Sequence, residues 1–407
     1  VLHYAEEWRK TITRLGRWVD WDNQYRTMDL NFMESVWSVF KSLYDKNLVY
    51  QSHKVVPYSP RITAVLSNFE ANQNYQDVQD PAITVKFKLS DEDAYVLAWT
   101  TTPWTLISNL ALCIGPEIEY VKVKSTENGE IYYLAKERVD AVFKKKKGEP
   151  DGYEVLANVK ASELAGRHYQ PLFRYFQHHK NAFKILTDDF VTTTDGTGVV
   201  HMAPAYGEDD FRVCTAAGID FVDPLDEEAK YKAIIPEFAG VFVKDADKDI
   251  IKSLKDSHHL LRHETLVHSY PMCDRTGGPL IYRTIPSWFV AVEQFKDNLV
   301  ANNEAIHWVP GHLKQGRMGN WLRNARDWAI SRNRFWGTPL PIYICNKDDN
   351  HRLCIGSVKE LEDLTKTKID DLHIHKIDHL SFDCPTCKGT MKRVGEVFDC
   401  WFESGSN

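Results

Sequence analysis

A β-rich α+β domain set between helical and mixed α/β segments is the fold class this sequence predicts, on three observations. At Pro81 the spacing of apolar residues changes from near four to two. From there to about His268, short alternating runs recur between turn signals. From Ser269 the texture changes again: Trp288, Trp308, Trp321, Trp328, Trp336 and Trp401 crowd it, and Arg317, Arg323, Arg326, Arg332 and Arg334 repeat through one expected helix and its exit. A length of 407 residues suits two or three domains, and the expected division is 1–76, mostly helical, 77–268, β-rich, and 269–407.

In the first span, Asn31 followed by Glu34 reads as a capping box at a helix start. Met33, Trp37, Phe40 and Tyr44 then recur at helical spacing, widened by Val36 and Leu43. Asn47 is the expected stop, and Pro57 and Pro60 break any further helix. In the second span, Ile83, Val85, Phe87 and Leu89 alternate with Thr84, Lys86 and Lys88, which predicts a strand with one set inside and the other in water. Similar runs come after it at 95–99, 121–123, 131–134 and 197–202, separated by turns at 127–129, 148–152 and Asp195-Gly196.

Composition narrows the function classes. Hydrophobic residues are 43% and charged residues 26%, which excludes wholesale disorder. No run of about 18 apolar residues or leader-like start occurs, so no membrane association is expected. Fifty Lys+Arg against 57 Asp+Glu give a net charge of −7, unlike a polybasic nucleic-acid coat, although a local basic lining still holds phosphates. The Lys144–Lys147 run reads as a solvated turn before Gly148 rather than a phosphate contact. Of eight cysteines, only Cys384 and Cys387 stand at Cys-x-x-Cys spacing, which favours a reducing cytosol over a disulfide framework. The start at Val1 and the end at Asn407 lead one to expect a piece of a longer chain.

Two segments of the middle span carry chemistry. Trp99-Thr100-Thr101-Thr102-Pro103-Trp104-Thr105-Leu106, closed by Asn109, places four threonines in six residues at a strand end that Pro103 terminates. Hydroxyls and freed backbone groups there suit a polar ligand or a water, although a threonine-rich edge strand is the plainer account. The second runs from Asp195-Gly196-Thr197-Gly198-Val199-Val200-His201 through Met202-Ala203-Pro204-Ala205-Tyr206-Gly207 to Glu208-Asp209-Asp210. Gly196 and Gly198 permit close backbone approach to a ligand. Pro204 and Gly207 bend the chain so that Asp209 or Asp210 returns towards His201. The plain account is a glycine turn, a satisfied core histidine and a helix-capping aspartate. No Gly-x-Ser-x-Gly elbow, Walker loop or His-Glu-x-x-His pair occurs.

Together these segments resemble the editing domain of class I aminoacyl-tRNA synthetases for branched aliphatic amino acids, in the form found in eukaryotic-type cytoplasmic isoleucyl enzymes. Residues 324–341 (Asn-Ala-Arg-Asp-Trp-Ala-Ile-Ser-Arg-Asn-Arg-Phe-Trp-Gly-Thr-Pro-Leu-Pro) and 398–406 (Phe-Asp-Cys-Trp-Phe-Glu-Ser-Gly-Ser) resemble the Rossmann-type catalytic core on the C-terminal side of the insertion. Gly16-Arg17-Trp18, Glu34–Trp37 and Leu66–Glu70 resemble the segment before it, so the likeness covers the whole chain.

The resemblance implies a barrel-like editing (CP1) domain inserted into that core, and a task. Isoleucine and valine differ by one methylene, worth about 1–3 kcal/mol in an apolar pocket, and the isoleucyl enzyme is the standing example of that limit. A second pocket that admits valine and excludes isoleucine hydrolyses the wrong ester on the 3′ end of the isoleucine tRNA. By the resemblance, Asp210 holds the substrate ammonium, with Asp209 left open by spacing, and His201 forms a wall. Thr100, Thr101, Thr102 and Thr105 line the pocket with Asn109 in support, Trp104 contacts substrate, and Gly198, Val199 and Val200 receive the adenosine. Editing needs no cofactor; ATP and Mg belong to the full-length enzyme. Neither His-x-Gly-His nor Lys-Met-Ser-Lys-Ser occurs, so these residues are not expected to form adenylate. Ile107 stands where relatives often have proline, and Tyr58-Ser59-Pro60-Arg61 with the single Cys273 replaces one paired-cysteine zinc site. Within a knuckle-like segment at 345–387, Cys384 and Cys387 with Cys345, and Cys354 or His351, are the remaining zinc candidates. A monomer is expected. The alternatives are a non-catalytic tRNA-binding scaffold and a valyl-type site acting on threonyl-tRNA.

Overall fold

A computed structural model describes residues 2–66, 68–143 and 152–406, so the Lys144–Lys147 run lies outside the described residues. By contacts the chain forms two compact units: His53–Ile285, and residues up to Ser52 together with those from Pro286 on. The 77–268 span lies wholly inside the first of these.

Two sheets lie wholly within the His53–Ile285 unit. One has six strands in the order Leu260–Pro271, Tyr75–Lys88, Tyr95–Thr100, Ile131–Ala135, Glu119–Ser125, Tyr153–Lys160. Its pairings are antiparallel except that Tyr95–Thr100 runs parallel to Ile131–Ala135. The second places Ala111–Ile114 between Val199–Met202, antiparallel, and Lys184–Thr187, parallel. Among the described residues neither sheet closes into a ring.

Ile83, Val85, Phe87 and Leu89 are buried as the alternation predicts. Their neighbours are not all in water: Thr84 and Lys86 are buried too, and only Lys88 is half-exposed. A second apolar cluster of Leu97, Val121, Val123, Tyr132, Leu134, Val139 and Val142 covers that other face. Burying a lysine is tolerable only with a partner, and Glu130 supplies it at 2.7 Å. The main cluster also takes in the helices Glu208–Ala216 and Val243–Asp256, the latter through Val243, Ala246, Ile250, Ile251 and Leu254.

In the other unit, the helix Leu30–Asp45 buries Phe32, Met33, Val36, Trp37 and Phe40. Its N-cap is Asp29, so Asn31 lies inside the first turn and the expected capping box is not formed. Glu34 is used elsewhere: its carboxylate accepts the Val358 N–H at 2.8 Å, at the start of the helix Val358–Thr365. The helix ends as expected, with Asn47 at φ +57. The strand Val49–Ser59 comes directly after it, so the first 76 residues are less helical than the sequence led one to expect. The arginine-rich stretch is likewise not one helix. Gly316 leaves helical geometry at φ −74, ψ −112, the helix Gly319–Arg323 ends before Arg326, and Arg332 lies on a two-residue strand. An antiparallel sheet in the order Arg352–Cys354, Ile342–Cys345, Thr390–Arg393, Ser381–Asp383 completes this unit. No described helix is long and apolar enough to cross a membrane.

Candidate functional site

The strand Tyr95–Thr100 ends where the threonine run begins, and Pro103 opens a 3₁₀ turn over Pro103–Ser108. Hydroxyls therefore succeed one another around a tight corner. Thr102 Oγ1 lies 3.2 Å from Thr100 Oγ1 and 3.3 Å from Thr105 Oγ1, while the Thr102 N–H donates to Thr100 Oγ1 at 3.1 Å. Thr101, half-buried, is not part of this row among the described bonds.

The second segment enters through His201. Its strand, Val199–Met202, pairs with Ala111–Ile114 so that His201 stands opposite Leu112. His201 Nε2 is 2.9 Å from Thr105 Oγ1, and its Nδ1 is 3.5 Å from the Asn109 amide nitrogen. The two segments are therefore joined by direct side-chain contact. The neighbours decide the tautomer. The Ala111 carbonyl can only accept, so the Asn109 NH₂ faces it at 2.9 Å, and the Tyr169 hydroxyl donates to Asn109 Oδ1 at 2.7 Å. That same NH₂ faces His201 Nδ1, which makes Nδ1 an acceptor and leaves the proton on Nε2. Nε2 then donates to Thr105, whose own proton goes to the Thr102 carbonyl at 2.8 Å. Burial pushes the His201 pKa down to about 4, so the ring is neutral. With both nitrogens engaged, it orients its neighbours rather than acting as a ready base.

Past His201, the turn through Pro204 and Gly207 brings the chain back, and Asp210 Oδ2 accepts the Ala203 N–H at 2.8 Å. A Cβ on Gly207 would meet the Asp210 carboxyl carbon at 2.7 Å, so only glycine lets this carboxylate fold over the helix start. Burial pushes Asp210 up to about 6, against the Ala203 N–H and with the charge of Asp209 adding to the rise. Asp209 is exposed and bonded to Arg212 at 2.9 Å. Of the two aspartates the bend returns, the inward one is Asp210.

Other expected residues are spent on the protein itself. Trp104 is 4% exposed and packs edge-on against Tyr206 at 4.8 Å between centroids, while its buried Nε1–H finds no hydrogen-bond partner among the described residues. Gly198 has φ +72, and a Cβ there would lie 2.3 Å from that of Ala135. The close approach that this glycine permits is to a neighbouring strand. The Gly198 carbonyl accepts from Tyr120 at 2.7 Å, Val199 is buried, and Val200 is half-buried. Three residues of the site escaped the sequence reading: Tyr169, Tyr231, whose hydroxyl donates to the Trp104 carbonyl at 2.8 Å, and Asp247. Only Asp247 had a signal, as a lone carboxylate in the apolar stripe of its helix.

In the other unit, the ligand atoms of Cys345, His351, Cys384 and Cys387 lie within 4.8 Å of one another. Cys345 Sγ is 3.4 Å from Cys387 Sγ, and Cys384 Sγ is 3.7 Å from His351 Nδ1. Such spacings suit four donors about one tetrahedral zinc. Cys354 is not among them. It pairs with Ile342, three positions from the hairpin turn, and is buried in the core, whereas the turn brings His351 beside Cys345. Against the burial that would raise it, the N–H groups of Cys387 and Thr386 hold the Cys384 thiol down at about 6. His351 Nε2, on the side away from the thiols, lies 3.6 Å from the Asp348 carboxylate, beyond hydrogen-bond length. Cys273 instead lies in an apolar cluster with Leu66, Ala71 and Leu280.

Comparison with known proteins places the chain among relatives. Residues 1–407 match the family described as tRNA synthetases class I (I, L, M and V). Isoleucine--tRNA ligase of Bdellovibrio bacteriovorus is 54% identical over 409 residues, covering all of this chain and 38% of that protein. The cytoplasmic isoleucine--tRNA ligase of Mus musculus is 51% identical over 414 residues, 32% of its length, and that of Protochlamydia amoebophila 52% over 409 residues, 39% of its length. The chain thus spans under two-fifths of these relatives. A solved structure described as GlLeuRS-CP1 overlaps 47% of this chain and 99% of that chain at 14% identity, with a TM-score of 0.34, too loose to equate the two folds.

Proposed function

Because this chain belongs to the class I tRNA synthetases, we propose that its His53–Ile285 unit is the editing domain of an isoleucine–tRNA ligase and hydrolyses valine from the isoleucine tRNA. The observation that carries this reading is the 2.9 Å contact between Thr105 and His201. It joins two sequence segments some 96 positions apart into one hydroxyl- and imidazole-lined corner, and the same second segment carries the inward carboxylate of Asp210.

The proposed chemistry rests on what these groups offer. Asp210 Oδ1 takes the substrate ammonium in a charge-assisted bond, its other oxygen staying on Ala203. The arriving cation offsets the burial that holds this carboxyl near pH 6. The threonine row presents donors and acceptors for the ester carbonyl and the attacking water. Water adds to the carbonyl carbon, the ester C–O bond breaks, the leaving ribose oxygen takes up a proton, and free valine departs. His201 is neutral and engaged on both nitrogens, so on this reading water attacks directly, with the substrate's own ribose hydroxyl as proton relay. On this reading His201 is the wall that excludes the extra methylene of isoleucine.

The other unit belongs, on this reading, to the synthetic core, with Cys345, His351, Cys384 and Cys387 holding a structural zinc that fixes their sheet. The whole enzyme is a cytoplasmic ligase using ATP and Mg, and the chain acts as a monomer on the tRNA 3′ end. The test is hydrolysis of valyl-, threonyl- and isoleucyl-tRNA by this chain. Preferential loss of valine supports the reading. Preference for the threonyl substrate would move the site to a valyl-type enzyme, and no turnover with any of them would leave a tRNA-binding scaffold.

A further inference from the structure

Trp104 is fastened at three points by segments distant in sequence. Its N–H donates to Asp247 Oδ1 at 2.8 Å, its carbonyl accepts from Tyr231 at 2.8 Å, and its ring meets Tyr206 at 4.8 Å. The next residue is Thr105, the one that reaches His201. The 3₁₀ turn that carries both has no side-chain cap from Thr102. A helical turn leaves its first N–H groups unpaired, and a buried one needs an acceptor from elsewhere. Asp247 provides it from the helix Val243–Asp256, 143 residues away. It does so from an apolar stripe, 8% exposed, where a leucine would pack without the cost of burying a carboxylate.

We infer that Asp247 is a positioning residue for the proposed editing site, holding the Trp104 peptide so that the Thr105 hydroxyl stays on His201. The activity readout rests on the editing reading; the geometry does not. Burial pushes Asp247 up to about 7, against the Trp104 N–H and Lys244, while the charges of Asp80 and Asp245 add to the rise. Lys244 and Asp245 share its helix, Asp80 comes from the strand Tyr75–Lys88, and Tyr231 and Tyr270 also face it. Asp80 is itself held by Lys244 at 3.0 Å and His268 at 3.1 Å. The ionised form is the stronger acceptor for an N–H, so the clamp tightens as pH rises through that range.

The test compares the chain with Asp247→Ala, Asp247→Asn and Tyr231→Phe, reading valyl-tRNA hydrolysis against pH and the ¹⁵N signals of the His201 ring. Asp247→Ala is expected to lower kcat about ten- to a hundredfold, the scale of a small misplacement, with little change in KM and a mixed His201 tautomer. Asp247→Asn keeps an acceptor oxygen. It should retain most of kcat and the single Nε2–H tautomer, and should lose the part of the acid limb near pH 7. Tyr231→Phe frees only the carbonyl and should fall between them. A folded Asp247→Ala with unchanged kcat and unchanged His201 signals overturns the inference, as does an Asn variant as damaged as Ala in both readouts. Should Asp247→Ala not fold, the Asn and Tyr231→Phe variants decide by the same signals. Should the unaltered chain leave valyl-tRNA intact, the editing reading fails, and the His201 spectra still decide the role of Asp247.

Discussion

The threonine–histidine corner of the His53–Ile285 unit and the cysteine–histidine cluster of the other unit both gather polar side chains, but differ in what satisfies them. In the corner, Tyr169, Asn109, His201, Thr105 and Thr102 form a continuous run of hydrogen bonds ending on backbone carbonyls. In the cluster, three thiols and an imidazole converge at 3.4–3.7 Å contacts between groups that bond each other poorly. A preorganised polar network needs no added component to keep its shape, whereas converging soft donors keep theirs through a metal. The first therefore suits binding and turnover, and the second suits structure.

The largest effect that would break this contrast is at Asp210. Asp210→Asn should lower kcat/KM for valyl-tRNA about a hundredfold or more, the scale of losing a charge-assisted contact to the reacting substrate. The same change should raise stability. The folded pKa, about 6, lies above the ordinary value of 3.8, so the favourable contribution of the protonated form is complete below pH 3.8 and is lost as pH rises through 6. Above pH 7 Asp210→Asn should therefore gain up to about 1–2 kcal/mol in denaturant titrations, while activity of the unaltered chain climbs over the same interval. A variant both inactive and destabilised would mean that Asp210 serves the helix start alone.

Next in size is the metal. The chain as isolated should carry about one zinc, measured by elemental analysis, and Cys384→Ser should lose it and lower the melting transition of its own unit by several degrees. Valyl-tRNA hydrolysis should change little, and equal loss in both would merge the two clusters into one function. Gly198→Ala comes third. A Cβ 2.3 Å from that of Ala135, on a backbone at φ +72, should cost about 2 kcal/mol in chemical unfolding. The smallest effect is the absence of one: the His201 ring should show no titration by NMR between pH 5.5 and 8, since its value is near 4.

How much of this was legible in the sequence differs by element. The strand through Ile83 and Leu89, the buried stripe Met33–Phe40 and the stop at Asn47 could be read from periodicity and turn chemistry, because local propensity and tertiary packing agree there. The capping box at Asn31 failed because the helix is capped two residues earlier, at Asp29, and Glu34 serves a helix more than 300 residues on. Lys86 was expected in water because alternation cannot reveal a second apolar cluster on the outer face. At the site, the residue types and the pairing of the two segments were readable. The engagement of Trp104 and Gly198 in packing was not.

The sequence by itself therefore determined the family, the alternation that makes the sheets, and the threonines, histidine and aspartates of the candidate site, since these are properties of residue type and spacing. Only the tertiary structure decided which aspartate turns inward, which tautomer His201 adopts, that His351 rather than Cys354 joins the thiols, and that Asp247 fastens the corner. All but the first of those depend on a partner brought from tens to hundreds of positions away. Hydrogen bonds and burial act at a few ångströms in space, a distance that pattern along a chain does not encode.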